Sequence, residues 1–218
     1  MKKRFVIGIT LLLLFTTYKP QKLFFNKIFN IEEIKIENNF ILKDKEIKKE
    51  LISIYETNLF FLKNSEIAKI LKENSFIDSF EIKKIYPNKV KIKIFEKKPI
   101  AILQYKKEKF YINHKIDLIH YSDLDEYKNL PIVFGNKESF KTFYNNIKKI
   151  NFPFNYIKRF YLYESNRWDL ETYNNKLVKL PIKNYTESLK NFINFIEEKN
   201  FEKYKVFDYR INDQLILK

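Results

Sequence analysis

The period of apolar positions changes several times along this chain, and each change predicts a different element. Phe5 to Tyr18 (FVIGITLLLLFTTY) is a predominantly apolar run flanked by Lys2, Lys3 and Arg4 before it and Lys19-Pro20 after it. As a helix, those fourteen residues rise about 21 Å, short of the roughly 30 Å hydrocarbon core, so length suits a signal-peptide segment as well as an anchor. The succeeding stretch (Tyr18-Lys19-Pro20-Gln21-Lys22-Leu23-Phe24-Phe25) offers no small-residue cleavage site. The apolar side chains favour insertion by about 3 to 5 kcal/mol in sum, and flanking lysines can snorkel, so the expectation is an uncleaved single anchor over 5–22. Lys19, Lys22 and Lys27 nearly balance the N-terminal cations, which leaves its orientation weakly specified by charge.

Further on, Ile34 and Ile36 alternate with Glu33, Lys35 and Glu37, the period-two pattern of a half-buried strand, ended by the turn-prone pair Asn38-Asn39. Ile47, Leu51, Ile54 and Tyr55 then share a helical stripe with Asp44 as its cap, and a second helix follows from Asn64 or Ser65 with Ile67, Ile70 and Leu71 inward. Phe80, Ile82 and Ile85 lead through Tyr86-Pro87-Asn88 into a strand whose Val90, Ile92 and Ile94 oppose Lys89, Lys91 and Lys93. The order over 31–97 is β-α-α-β-β, a small sheet with two helices on one side. In the remainder, two amphipathic helices (Phe140, Phe143, Tyr144, Ile147, Ile150; then Leu189, Phe192, Ile193, Ile196) are expected to cover a sheet, so the fold class is α+β. Val206 to Leu217 reads as the last strand, with Phe207, Tyr209, Ile211, Leu215 and Leu217 on one face. At a sheet edge, its open N–H and C=O groups can accept a strand from another chain.

Composition removes most catalytic readings. Lys and Arg total 42 against 27 Asp and Glu, a formal charge of +15, but only Arg4, Arg159, Arg167 and Arg210 are arginine, the residue best shaped for phosphate and guanine. A lysine-rich, Asn-, Ile- and Phe-rich chain with few Gly and Ala is what A- and T-biased codons produce, so nucleic-acid binding is not expected. The absence of cysteine excludes disulfides and thiolate chemistry, and two glycines cannot build a phosphate-cradling loop. His114 and His120 are six residues apart on one predicted strand, about 20 Å, too far to share a metal. Glu32-Glu33 and Glu197-Glu198 lie in charged, solvated runs. The expectation is a non-enzymatic protein with no cofactor, metal or small-molecule substrate.

Several stretches together carry a family resemblance. Ile34 to Asn39 resembles the first strand and turn of a POTRA domain, and Tyr86-Pro87-Asn88, the alternating strand and Glu96-Lys97-Lys98-Pro99-Ile100-Ala101 resemble its last turn, strand and "E-x-x-P-x-A" exit. Phe110 to Asn113, Leu130 to Gly135, Arg167 to Leu170 with Asn174 to Pro181, and Asp208-Tyr209-Arg210 resemble, in order, the β-domain motifs of the FtsQ/DivIB family of bacterial cell-division proteins. Asn38 stands where that family's first-turn glycine does, and Asn113-His114-Lys115 lacks the hairpin glycine. The resemblance implies a cytoplasmic tail (1–4), a transmembrane anchor (5–22), a linker (23–30), a POTRA domain (31–98) and an antiparallel-rich β domain (99–218) with two covering helices. It further implies a single-pass scaffold of the inner membrane at the division septum, with the bulk of the chain periplasmic. FtsB, in its complex with FtsL, would add a strand at the C-terminal edge around Arg210, Ile211, Asp213 and Leu215, with FtsW and FtsI as further partners. Two other readings remain open at this point: another POTRA-bearing assembly or secretion factor of the outer membrane, and a membrane-tethered enzyme acting on an anionic envelope polymer.

Overall fold

The computed structural model describes residues 2–17, 28–196, 201–211 and 214–218, and the chain divides into two units, 1–96 and 97–218. Helix α1 (Lys2–Thr17) contains the predicted apolar run as far as Thr17. Its large apolar residues from Phe5 to Phe15 are all exposed, the all-round pattern of a helix that finds its surroundings elsewhere than in its own core. The Thr10 and Thr16 hydroxyls donate back to Val6 O and Leu12 O, at 2.8 and 2.9 Å, so those polar groups need no water. No helix among the described residues is long and apolar enough to cross a membrane. Residues 18–22 of the expected anchor and 23–27 of the expected linker lie outside the described residues.

The β-α-α-β-β order is as the periodicity predicts. Strand β1 (Glu33–Glu37), helices α2 (Asp44–Glu50) and α3 (Asn64–Glu73), β2 (Ile77–Ile85) and β3 (Lys89–Glu96) follow in turn. The sheet order is β1-β3-β2, with β1 parallel and β2 antiparallel to β3. Ile34, Val90, Ile92 and Ile94 meet Ile47, Leu51, Ile67 and Leu71 in a core where all eight are essentially inaccessible. The predicted caps are displaced by one residue. Asp44 and Asn64 open their helices, while Lys43 and Lys63 hold the cap positions without a capping side-chain bond. Asn38 takes φ 64°, the left-handed conformation that asparagine tolerates best after glycine, and its amide donates to Ile94 O at 2.7 Å. Glu96 explains the exit motif physically: its carboxylate accepts from the backbone N–H groups of Phe40, Ile41 and Leu42 and so fastens the loop after β1 to the end of β3.

The second unit contains β4 (Pro99–Tyr105), β5 (Glu108–Asn113), β6 (Leu118–His120), β7 (Ile132–Phe134), α4 (Lys137–Lys149), β8 (Ile157–Leu162), β9 (Trp168–Thr172), β10 (Leu177–Lys179), α5 (Tyr185–Ile196), β11 (Val206–Asp208) and β12 (Ile216–Leu217). Its sheet order is β12-β11-β10-β9-β8-β7-β4-β5-β6. Antiparallel pairs predominate as expected, but β4–β7, β7–β8 and β10–β11 are parallel. Parallel neighbours need a long crossover, and the two amphipathic helices supply it for β7–β8 and β10–β11. Both crossovers step the same way between strands running in one direction, so the right-handed rule puts both helices on one face. There they meet: Tyr185 stacks on Phe143 at 5.3 Å and accepts a bond from Asn146 at 2.8 Å. Gly135 sits where a Cβ would lie 3.0 Å from Leu162 Cβ and 3.3 Å from the Trp168 ring.

Two sequence expectations need correction here. His114 and His120 do not share a strand, because β5 ends at Asn113 and a turn runs to Asp117 before β6. Instead, His114 Nδ1 lies 2.8 Å from the Tyr144 hydroxyl on α4. The stretch Val206 to Leu217 is two strands, not one, since β11 stops at Asp208 and β12 returns antiparallel against it.

Candidate functional site at the C-terminal sheet rim

β11 is central, with β10 on one side and β12 on the other, so the rim belongs to β12. Lys218 N donates to Val206 O at 3.1 Å and Val206 N to Lys218 O at 3.0 Å, a pair exchanging both bonds across β11 and β12. Because main-chain direction alternates along an antiparallel strand, the N–H and C=O of Leu217 face away from β11. Among the described residues no strand lies on that flank.

Behind the rim the chain between the two strands is held by side chains. Asp208 is buried, and Arg210 grips it with Nε at 2.8 Å and Nη2 at 2.6 Å, while the Arg210 backbone N–H adds a bond at 3.1 Å. These bonds and the guanidinium charge hold the Asp208 carboxyl below its usual range, and the carboxylate raises Arg210 in return. Tyr209 is buried, which pushes its hydroxyl far up; that hydroxyl bonds Asn191 Oδ1 on α5 at 2.9 Å. Its backbone N–H donates to Lys179 O at 2.8 Å.

Asp169, Lys179 and Asp208 stand in register across β9, β10 and β11, and therefore on one face. Arg167 grips Asp169 as Arg210 grips Asp208, with Nε at 3.1 Å, and its guanidinium lies 4.4 Å from the centre of the Tyr163 ring. Sequence reasoning missed this double fork. The signal was present as Arg167-x-Asp169 and Asp208-x-Arg210, since residues two apart on a strand share a face.

The predicted contact residues divide. Ile211 and Leu215 line one cavity of about 400 Å³, together with Tyr209, Gln214 and the first turns of α5. Arg210 lines a second cleft of about 420 Å³ with Arg167, Pro181, Ile182 and Lys183. Asp213 lies outside the described residues. The arrangement is an open main-chain rim, a cavity in which Ile211 and Leu215 stand among mainly polar groups, and a cleft that carries Arg167, Lys183 and Arg210. Among the described residues no group of His, Asp or Glu is placed to hold a metal ion.

Comparison with known proteins accounts for both units. Residues 29–97 match the family model of the FtsQ-type POTRA domain, and residues 101–210 match that of the cell division protein FtsQ/DivIB C-terminal region. The chain belongs to the FtsQ/DivIB family of cell-division proteins. It is similar to cell division protein FtsQ of Rickettsia conorii, at 29% identity over 187 residues covering 84% of this chain and 69% of the relative. Cell division protein FtsQ of Rickettsia typhi is similar at 28% over 187 residues, and that of Methylomonas methanica at 27% over 106 residues, 48% of this chain and 41% of the relative. The FtsQ/DivIB match over 101–210 includes both arginine forks and ends at Arg210, at the threshold of the rim.

Proposed function

We propose that this chain is a non-catalytic adaptor of the division machinery, anchored in the inner membrane by residues 5–22, which takes up a partner strand on the open flank of β12. The observation that carries the reading is the outward main chain of Leu217 on β12, the C-terminal edge strand of a sheet whose other edge is β6. The partner is FtsB in its complex with FtsL, and through them the adaptor reaches FtsW and FtsI at the septum; the family resemblance supplies these names. Ile211 and Leu215 receive side chains of the incoming strand in their cavity, Arg210 faces its flanking acidic groups, and Asp213 is a further contact residue that the family resemblance supplies. Specificity comes from these side-chain positions and affinity from the ladder.

The test is Leu217→Pro in the full chain, which deletes the outward N–H and fixes φ. Co-purification of FtsB from membranes should be lost while the near-ultraviolet spectrum of Trp168 and its aromatic neighbours stays intact. Undiminished capture of FtsB by a folded variant would sink the strand-addition mechanism. The tempting alternative of removing residues 206–218 is a poorer test, because Phe207 is fully buried and its loss empties the core beneath α5.

A further inference from the structure

Strands β1 and β3 are parallel, so the POTRA domain has an incoming tip and an outgoing tip, separated by about 25 Å of strand. Residues 28–31, 56–62 and 85–89 gather at the incoming tip, where Leu59 N bonds Phe29 O and Glu32 N bonds Asn88 O. Asn38, Phe40 and Glu96 gather at the other. The incoming tip has an unusual surface. In the segment Leu59-Phe60-Phe61-Leu62 the two leucines are 0% and 4% exposed, while the two phenylalanines are 54% and 79% exposed. Phe60 touches Phe29 at 4.5 Å and Tyr86 at 4.8 Å between ring centres, and Tyr86, Ile85 and Ile28 are exposed beside them.

This presentation is built in. The Lys84 ammonium bonds both Leu59 O and Leu62 O, closing the loop from below, and Asn58 Oδ1 accepts from Phe60 N at 3.0 Å. A contiguous apolar surface held open in this way marks a contact site. Chain length identifies the occupant: even fully extended, the segment from Thr17 to Ile28 reaches no more than about 40 Å, so the tip stays close to whatever holds α1. We propose that the aromatic tip formed by Phe60, Phe61 and Tyr86 rests in the headgroup layer of the bilayer that holds the anchor. Tyr86 suits that layer with an apolar ring and a polar hydroxyl, and the purely apolar rings of Phe60 and Phe61 suit the headgroup and acyl boundary at its inner side. Charge does not carry the contact, since exposed Lys63 and Lys83 are offset by exposed Glu32 and Glu56. The inference rests on the anchor reading above.

The chain contains no cysteine, so Phe61→Cys and Phe40→Cys each create a unique nitroxide-labelling site in the full chain, one at each tip. In vesicles of phosphatidylethanolamine and phosphatidylglycerol, the label at 61 should collide several-fold more with oxygen, relative to an aqueous nickel chelate, than the label at 40. Tyr86→Cys provides a second reporter on the incoming tip, with the same expected preference. If the chain survives a carbonate wash in the vesicles while the labels at 61 and 86 are as water-accessible as that at 40, docking is overturned and the anchor stands; this is also the outcome if the patch serves a protein partner instead. Release of the chain by carbonate overturns the anchor, and docking with it.

Discussion

At the scale of single residues, the C-terminal rim depends on one carboxylate. Asp208 is held below its usual range by Arg210, whose side chain and backbone N–H both bond it. Its stabilising contribution is therefore full at neutral pH, and it falls away as pH drops from about 4, the ordinary aspartate value, through the lower folded one. Amide exchange at Arg210 should accelerate over that acid interval beyond its intrinsic rate. In Asp208→Asn the amide should exchange faster at neutral pH and lose that extra acid dependence; an identical profile in both proteins would show that the fork does not hold the rim. Residue identity foretells part of this local structure. Asn38 is readable as a glycine substitute, because asparagine visits left-handed backbone readily. Ile116 is not: a buried, β-branched residue at φ 60° contradicts local preference, and it is accommodated because Asn113 Oδ1 accepts from both Lys115 N and Asp117 N at 2.9 Å.

At the scale of elements, period alone locates the helices and the three POTRA strands, but not the short strands β4 to β10 nor how the strands pair. The two amphipathic stripes announce helices, and their role as crossovers between parallel neighbours follows only once β7–β8 and β10–β11 are known to be adjacent. The final strand misleads for a different reason. Alternation through Val206 to Leu217 reads as one strand, yet β11 ends at Asp208 and β12 pairs back on it antiparallel, and the turn-prone pair Asn212-Asp213 in the sequence is the signal against a single strand. Ile211 and Leu215 therefore line a cavity, where the alternation alone assigns them to a ladder. The join between β7 and α4 gives a prediction at this scale. Gly135→Ala brings a methyl group against Leu162 Cβ and Trp168, so those neighbours must give by a few tenths of an ångström. The cost should be about 1–3 kcal/mol, read as a lower chemical-denaturation midpoint by Trp168 fluorescence. An unchanged midpoint would mean the contact relaxes freely.

For the whole molecule, α1 leaves its large apolar residues from Phe5 to Phe15 exposed, whereas each folded unit has a buried apolar core. The proposed anchoring predicts that the native chain stays in carbonate-washed membranes. Leu11→Arg combined with Leu13→Arg adds about 5–7 kcal/mol against insertion, more than the apolar run supplies, and should shift the chain to the supernatant. Retention of the doubly charged variant would place the attachment elsewhere than in the helix. The family and the two-part organisation are legible from motif order, since turns and exits such as Glu96 to Ala101 reflect fixed backbone needs. The aromatic tip is not, because only the folded loop shows that Phe60 and Phe61 point out while their leucine neighbours point in. The parallel β1–β3 pair has one more consequence for a tethered protein. Tension drawn from the first strand's beginning and the third strand's end pulls those neighbours lengthwise past each other, so the rungs between them share the load together instead of tearing one at a time.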